Sequence, residues 1–199
     1  MRFLTAGMTL GLATFYLQRM EAIAISLAMR ARYLMMGWDM LIVAHPPCTR
    51  LCNSGVRWLH TPPPGRTLEE MWTQLDEGAQ LFSAFWNAPI ERICVENPVM
   101  HRHAKERIVN YVNAAQSVQP WQFGHGETKR TCFWLKNLPP LIPTKIVDGR
   151  VPRVHHASPS PDRWKERSRF FPGIAAAMAK QWGDHFTELG AAQVQSLYP

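Results

Sequence analysis

A thiol and a carboxylate each stand just beyond a short apolar run. Cys48 follows the run at 41–44 in LIVAHPPCTRLCNSG, and Glu96 follows the run at 93–95 in ICVENPV. Prolines close both: Pro46 and Pro47 lack the backbone N–H that a sheet ladder needs, and Pro98 ends the second run in the same way. Such a pair can carry out nucleophilic attack by the thiolate, with the carboxyl group giving or holding a proton. The two groups start far apart in acidity, near ~8.5 and ~4.3, so a site that uses them must lower one pKa and raise the other. Arg50, Arg57 and Trp58 follow the thiol. They have two readings: phosphate contacts with a base-stacking ring, or a surface ion pair with a core indole.

The elements that must position this pair read as an open α/β sheet. Residues 40–44 and 93–95 are strands, and in such sheets ligands bind outside the carboxyl ends of the strands. Between them, Thr67 precedes Glu69 and Glu70, and Met71, Leu75, Leu81 and Phe85 recur at helical spacing, which predicts a helix with one face for the sheet. Residues 103–112 read as a short amphipathic helix. Residues 118–123 read as a strand or extended segment before the Gly124-His125-Gly126 turn, and 131–135 as a strand stopped by Pro139, Pro140 and Pro143. Residues 151–162 read as a polar loop without periodicity, and 174–182 as a closing helix introduced by Pro172-Gly173. At the N-terminus the apolar residues 3–17 fall short of the ~20 that span a bilayer. Arg19, Glu21, Arg30 and Arg32 then interrupt the pattern without a small-residue cleavage site. Residues 10–36, rich in Ala, Leu and Met, are expected to be helical up to Gly37, with no membrane partner.

With 199 residues, 46% of them hydrophobic, the chain suits one globular domain around one core. Its net charge of +7 favours a polyanionic partner without identifying one. Cys48, Cys52, Cys94 and Cys132 lie in or beside predicted strands with no paired secretory framework, so reduced thiols in a cytoplasmic setting are expected. Metal binding has weak support: Cys48 and Cys52, His101 and His103, and His155 and His156 are scattered between separate elements, with no paired knuckles.

HPPC, then ENP at 96–98, then GHGETKRTCFWL at 124–135, resembles the ordered motifs of the cytosine-5 DNA methyltransferases, particularly short phage and prophage versions. The similarity covers residues 37–183 and includes RSRFFPGIAAAMAKQWG near the end. It implies a Rossmann-like, S-adenosylmethionine-dependent methyltransferase core over 37–183, truncated or degenerate at the first strand and glycine turn, which leaves the apolar, helical-looking 1–36 as an atypical segment and 184–199 as a tail. It further implies that Cys48 adds to carbon 6 of cytosine, that Glu96 neutralises ring nitrogen 3, and that carbon 5 then accepts the donor's methyl group. Arg50, Asn97, Lys129 and Arg130 take DNA-contacting positions, with Asn97 also orienting its loop. The resemblance also implies DNA as the partner and the cytoplasm of a bacterial or phage-infected cell as the location.

The chain departs from the family in three places. ETKRT stands where the family carries Gln-x-Arg-x-Arg, so the roles of Lys129 and Arg130 rest on neighbourhood alone. The first strand and glycine turn of the donor site are reduced to LTAGMTLGL, with Gly7 and Gly11 as a degenerate remnant and only Glu21 as an acidic candidate. A frameshift or mistaken start upstream of Gly37 would account for that break. No target-recognition domain fits, which leaves Arg150, Arg153, His155 and His156 in the 145–162 loop for major-groove readout. A target base in a duplex must also leave the stack to reach Cys48. Two alternatives stand beside the enzyme: a non-catalytic nucleic-acid-binding relative without the donor site, and a pyrimidine nucleotide-modifying enzyme, since thymidylate synthase also sets its nucleophile in a Pro-Pro-Cys turn.

Overall fold

A computed structural model of the chain describes residues 3–6, 39–43, 48–156, 158, 160, 163, 167 and 170–197. The chain forms two compact units, Met1–Val118 with Arg130–Asn137, and Gln119–Lys129 with Leu138–Pro199.

The first unit is built on a five-stranded mixed sheet in the order β1-β2-β3-β5-β4. Strands β1 (Phe3–Ala6), β2 (Met40–Val43) and β3 (Arg92–Asn97) are parallel, with Ala6 opposite Val43 and Val43 opposite Val95. Strand β5 (Thr131–Lys136) runs antiparallel beside β3, and β4 (Gln116–Val118) pairs antiparallel with β5 at the edge. The protein is therefore of the α/β class. Parallel β2 and β3 need a long crossover, and its long helix is Leu68–Trp86. Its start follows from the sequence: Thr67 Oγ1 accepts from the Glu70 amide at 3.1 Å, while the Thr67 amide donates to the Glu70 carboxylate at 2.9 Å. Met71, Leu75, Ala79 and Phe82 then bury one stripe, and the Phe82 ring meets Trp134 edge-on at 5.2 Å. Across the ladder Ile93, Val95, Cys132 and Trp134 share the sheet face that joins this core. Cys94, Glu96 and Phe133 lie on the opposite face and are also buried.

Among the described residues the helices, in chain order, are α1 (Cys48–Leu51), α2 (Leu68–Trp86), α3 (Arg102–Arg107), α4 (Arg153–His156) and α5 (Pro172–Leu197). Several differ from the sequence reading. Phe3–Ala6 is a strand within the segment read as helical, and residues 10–36 lie outside the described residues. Helix α3 stops at Arg107 instead of continuing to 112. The Val109 amide donates to Ser83 Oγ, the Val109 carbonyl accepts from Asn87, and Asn110 takes φ 56°, so the backbone groups a longer helix would use are already engaged. Residues 118–123 divide between the end of β4 and a 3-10 turn at Pro120–Gln122. The loop expected over 151–162 contains α4, and α5 continues to Leu197 through most of the expected tail.

In the second unit, segment 121–128 runs beside 144–151 through isolated parallel bridges at Phe123–Lys145 and Glu127–Val151. Trp182 of α5 is fully buried and donates from Nε1 to the Pro139 carbonyl at 3.0 Å, while Gln181 both donates to and accepts from the Ile142 backbone. The Gly173 amide donates to His125 Nε2 at 2.9 Å, and a Cβ at Gly173 would overlap the Phe123 carbonyl. Among the described residues no helix is long and apolar enough to cross a membrane.

Candidate active site

Because β2 and β3 are parallel and in register, the chain leaves both at the same end of the sheet. Val43 is opposite Val95, so Glu96 stands one residue beyond the last β2 pair, and Cys48 begins α1 a few residues past Val43. The two post-strand segments are then joined. The Asn53 amide donates to the Val99 carbonyl at 2.9 Å, the His101 amide donates to the Leu51 carbonyl at 3.1 Å, and Cys52 bridges Met100. Gly55 completes the turn after α1, where a Cβ would overlap the Thr49 carbonyl, so only glycine allows the turn to close on the helix.

The four thiols differ in environment, and among the described residues none is joined in a disulfide. Burial pushes the Cys94 thiol well above its ordinary pKa, and the Glu96 carboxylate adds to that shift. Burial also raises Cys132, against the opposing pull of Arg130, Ser117 and Lys105. Cys52 is buried with its Sγ 3.0 Å from Ser54 Oγ. Cys48 is the half-buried member of the set, at the start of α1. It is therefore the thiol best placed to meet a substrate.

Glu96 is 2% exposed, and Asn97 is fully buried with neither side-chain amide atom hydrogen-bonded among the described residues. As neighbours on one strand they point to opposite sheet faces. Asn97 lies opposite Cys132, and Glu96 opposite Phe133.

The proposed DNA contacts divide. Arg50 donates from Nε to Gln74 of α2 at 2.7 Å, and its pKa is lowered first by burial and then by Arg66. It braces α1 against α2 through that bond. Arg57 lies 4.1 Å above the Trp58 ring, an exposed cation stacked on a partly buried indole. Arg130 is exposed at the start of β5 and donates to Ser117 at 2.9 Å. Lys129 belongs to the second unit, where its amide donates to Gln119 and its Nζ stands 6.0 Å from the Phe171 ring. In the same unit Arg150 stacks 3.6 Å over Trp121, and Arg153 pairs at 3.0 Å with the buried Glu127. Among the described residues no three His, Cys, Asp or Glu side chains group as a metal site.

Three residues escaped the sequence reading. His101, a metal-ligand candidate by sequence, occupies the N-cap of α3. Gly55 had a faint signal in the tight CNSGV turn. Glu127 sits inside the GHGETKR motif beside Lys129 and Arg130, and nothing in its spacing marks it as buried. Compared with profiles of protein families, with curated proteins and with solved structures, the chain gives no match.

Proposed function

We propose that the protein acts as a cytosine-5 DNA methyltransferase, with Cys48 as nucleophile and Glu96 as the carboxyl group that works on ring nitrogen 3. One observation carries this reading: parallel β2 and β3 release α1 and Glu96 at one end of the sheet, and the segments that follow are hydrogen-bonded to each other. The finer expectation of a Rossmann-like methyltransferase sheet draws support from the three parallel strands and the crossover through α2. It draws more from β1, a strand where the donor-site half looked degenerate. Ala6 pairs with Val43 and Val43 with Val95, so β1, β2 and β3 run in register toward one end of the sheet.

In this mechanism the Cys48 thiolate forms a bond to carbon 6 of a cytosine turned out of the stack. The electron pair displaced from the ring double bond makes carbon 5 enamine-like. Glu96, shielded from water, holds the proton that neutralises nitrogen 3. When bound, S-adenosylmethionine would supply the electrophilic methyl group that carbon 5 needs. Loss of the carbon 5 proton then expels Cys48 as a thiolate, which restores the ring double bond. The net charge of +7 suits a polyanionic partner, of which DNA is one.

The test is transfer of a labelled methyl group from S-adenosylmethionine to duplex DNA. Label should enter cytosine, vanish with Cys48→Ser, and fall about 10²–10⁴-fold with Glu96→Gln. Salt-dependent DNA binding without transfer would replace the enzyme by a binding module, and selective binding of a free pyrimidine nucleotide would replace the substrate.

A further inference from the structure

The histidine between the two site-bearing segments makes a set of contacts that its sequence position does not announce. His101 is 4% exposed. Its Nδ1 accepts from the Ala104 amide at 3.1 Å, which caps α3, and its Nε2 lies 2.6 Å from the Arg50 carbonyl in α1. These two bonds define the ring's protonation. An amide can only donate, so Nδ1 carries no proton, and the single proton of the neutral ring sits on Nε2 and donates to Arg50. The His101 backbone amide meanwhile donates to Leu51, the last residue of the same helix. The short helix that starts with Cys48 is thus fastened twice, by main chain and by imidazole, to the segment that continues from Glu96.

We infer that His101 is a positioning residue that, as its neutral Nε2–H tautomer, straps the Cys48 helix to the strand end carrying Glu96. Its role as a catalytic aid rests on the function proposed above; the strap itself does not. A four-residue helix has little stability of its own, so its placement depends on such external bonds. The surroundings favour the neutral ring: burial lowers the His101 pKa, His103 and Arg107 of α3 repel a second positive charge, and only the bond to the Arg50 carbonyl opposes them. The His103 ring stands 5.9 Å away, with His60 and Trp72 beyond it, and Arg107 is itself paired with Asp76.

Two substitutions separate the strap from the cap. Asparagine is a good N-cap but too short to reach the Arg50 carbonyl, so His101→Asn keeps the Ala104 bond and loses the strap; His101→Ala loses both. Iodoacetamide alkylation of Cys48 in the folded protein, followed by peptide mass spectrometry, reads the helix position directly because the other three thiols are buried. His101→Asn should melt near the wild type yet alkylate Cys48 about tenfold faster, the loss of one hydrogen bond's worth of restraint. A wild-type rate in a His101→Asn protein of wild-type stability would overturn the inference. If that variant fails to fold, nitrogen NMR of the wild-type imidazole decides: a proton on Nε2 and a bare Nδ1 at neutral pH support the strap, and the opposite tautomer or an imidazolium refutes it. Neither measurement uses DNA or a methyl donor, so failure of methyl transfer leaves both readable.

Discussion

Each of the two units of this protein has its own internal means of cohesion, and the means differ. The first is organised by apolar periodicity: a capped helix lays Met71, Leu75 and Phe82 against a sheet face carrying Ile93, Val95 and Trp134. Among its described residues the second shows no extended strand ladder and is assembled from side chains that grip backbone groups. Trp182 holds the Pro139 carbonyl, Gln181 clasps Ile142, His125 takes the Gly173 amide, and Glu127 holds Arg153 and the Val154 amide. Apolar packing is written into a sequence as spacing. A side chain that grips a distant carbonyl leaves no such trace.

The largest effects should fall in the first unit. Phe82→Ala removes a fully buried ring from the contact with Trp134 and is expected to cost about 3–5 kcal/mol in denaturant unfolding. In the second unit Trp182→Phe keeps most of the bulk and deletes only the bond to Pro139, an expected loss of about 1–2 kcal/mol. Equal losses would erase the contrast. Gly55→Ala comes next: a Cβ forced against the Thr49 carbonyl should destabilise by about 1–3 kcal/mol and speed alkylation of Cys48, because the turn must move off α1.

A smaller change is expected from Glu127→Ala. Its carboxylate is buried while Arg153 is largely exposed, so the pair behaves less like a sealed ion pair than like a hydrogen-bonded anchor. A loss of about 1–2 kcal/mol, with new proteolytic cleavage near 148–156, is the predicted result. Cleavage unchanged from the wild type would show that the loop is held by something else.

The smallest effect is a pH slope. The folded-state pKa of His101 is lowered, so the unfolded chain binds the proton more readily. The contribution of His101 is full above its unfolded value of about 6.5 and is lost as pH falls through the folded value. His101→Asn should flatten that part of the stability curve, with His60, His103 and Arg107 still in place. A wild-type slope in the variant would assign the titration to another group.

Much of the first unit was legible. The Thr67 cap with Glu70 and the spacing through Phe85 announced α2, and the apolar runs ending at Pro46 and Pro98 announced two strands. The N-terminal strand was missed because FLTA joins directly to an Ala-, Leu- and Met-rich stretch whose composition favours helix, and only pairing with β2 identifies it as a strand. The overlong reading of α3 failed because Ser83 and Asn87, on another element, claim the Val109 backbone. In the site, residue type made Cys48 and Glu96 candidates. The role of Arg50 as a brace to Gln74 and the strap by His101 depend on contacts between residues far apart in the chain.

The central claim, a thiolate and a carboxyl group working on one cytosine, is tested most directly with duplex DNA carrying 5-fluorocytosine. Fluorine at carbon 5 leaves no proton to remove after methyl transfer, so the thiol cannot be expelled and the enzyme stays attached. Incubation with S-adenosylmethionine, denaturing electrophoresis and peptide mass spectrometry should yield a methylated fluorocytosine adduct on Cys48, absent in Cys48→Ser and slowed in Glu96→Gln. DNA that binds without forming an adduct, or an adduct on Cys52, Cys94 or Cys132, would contradict it.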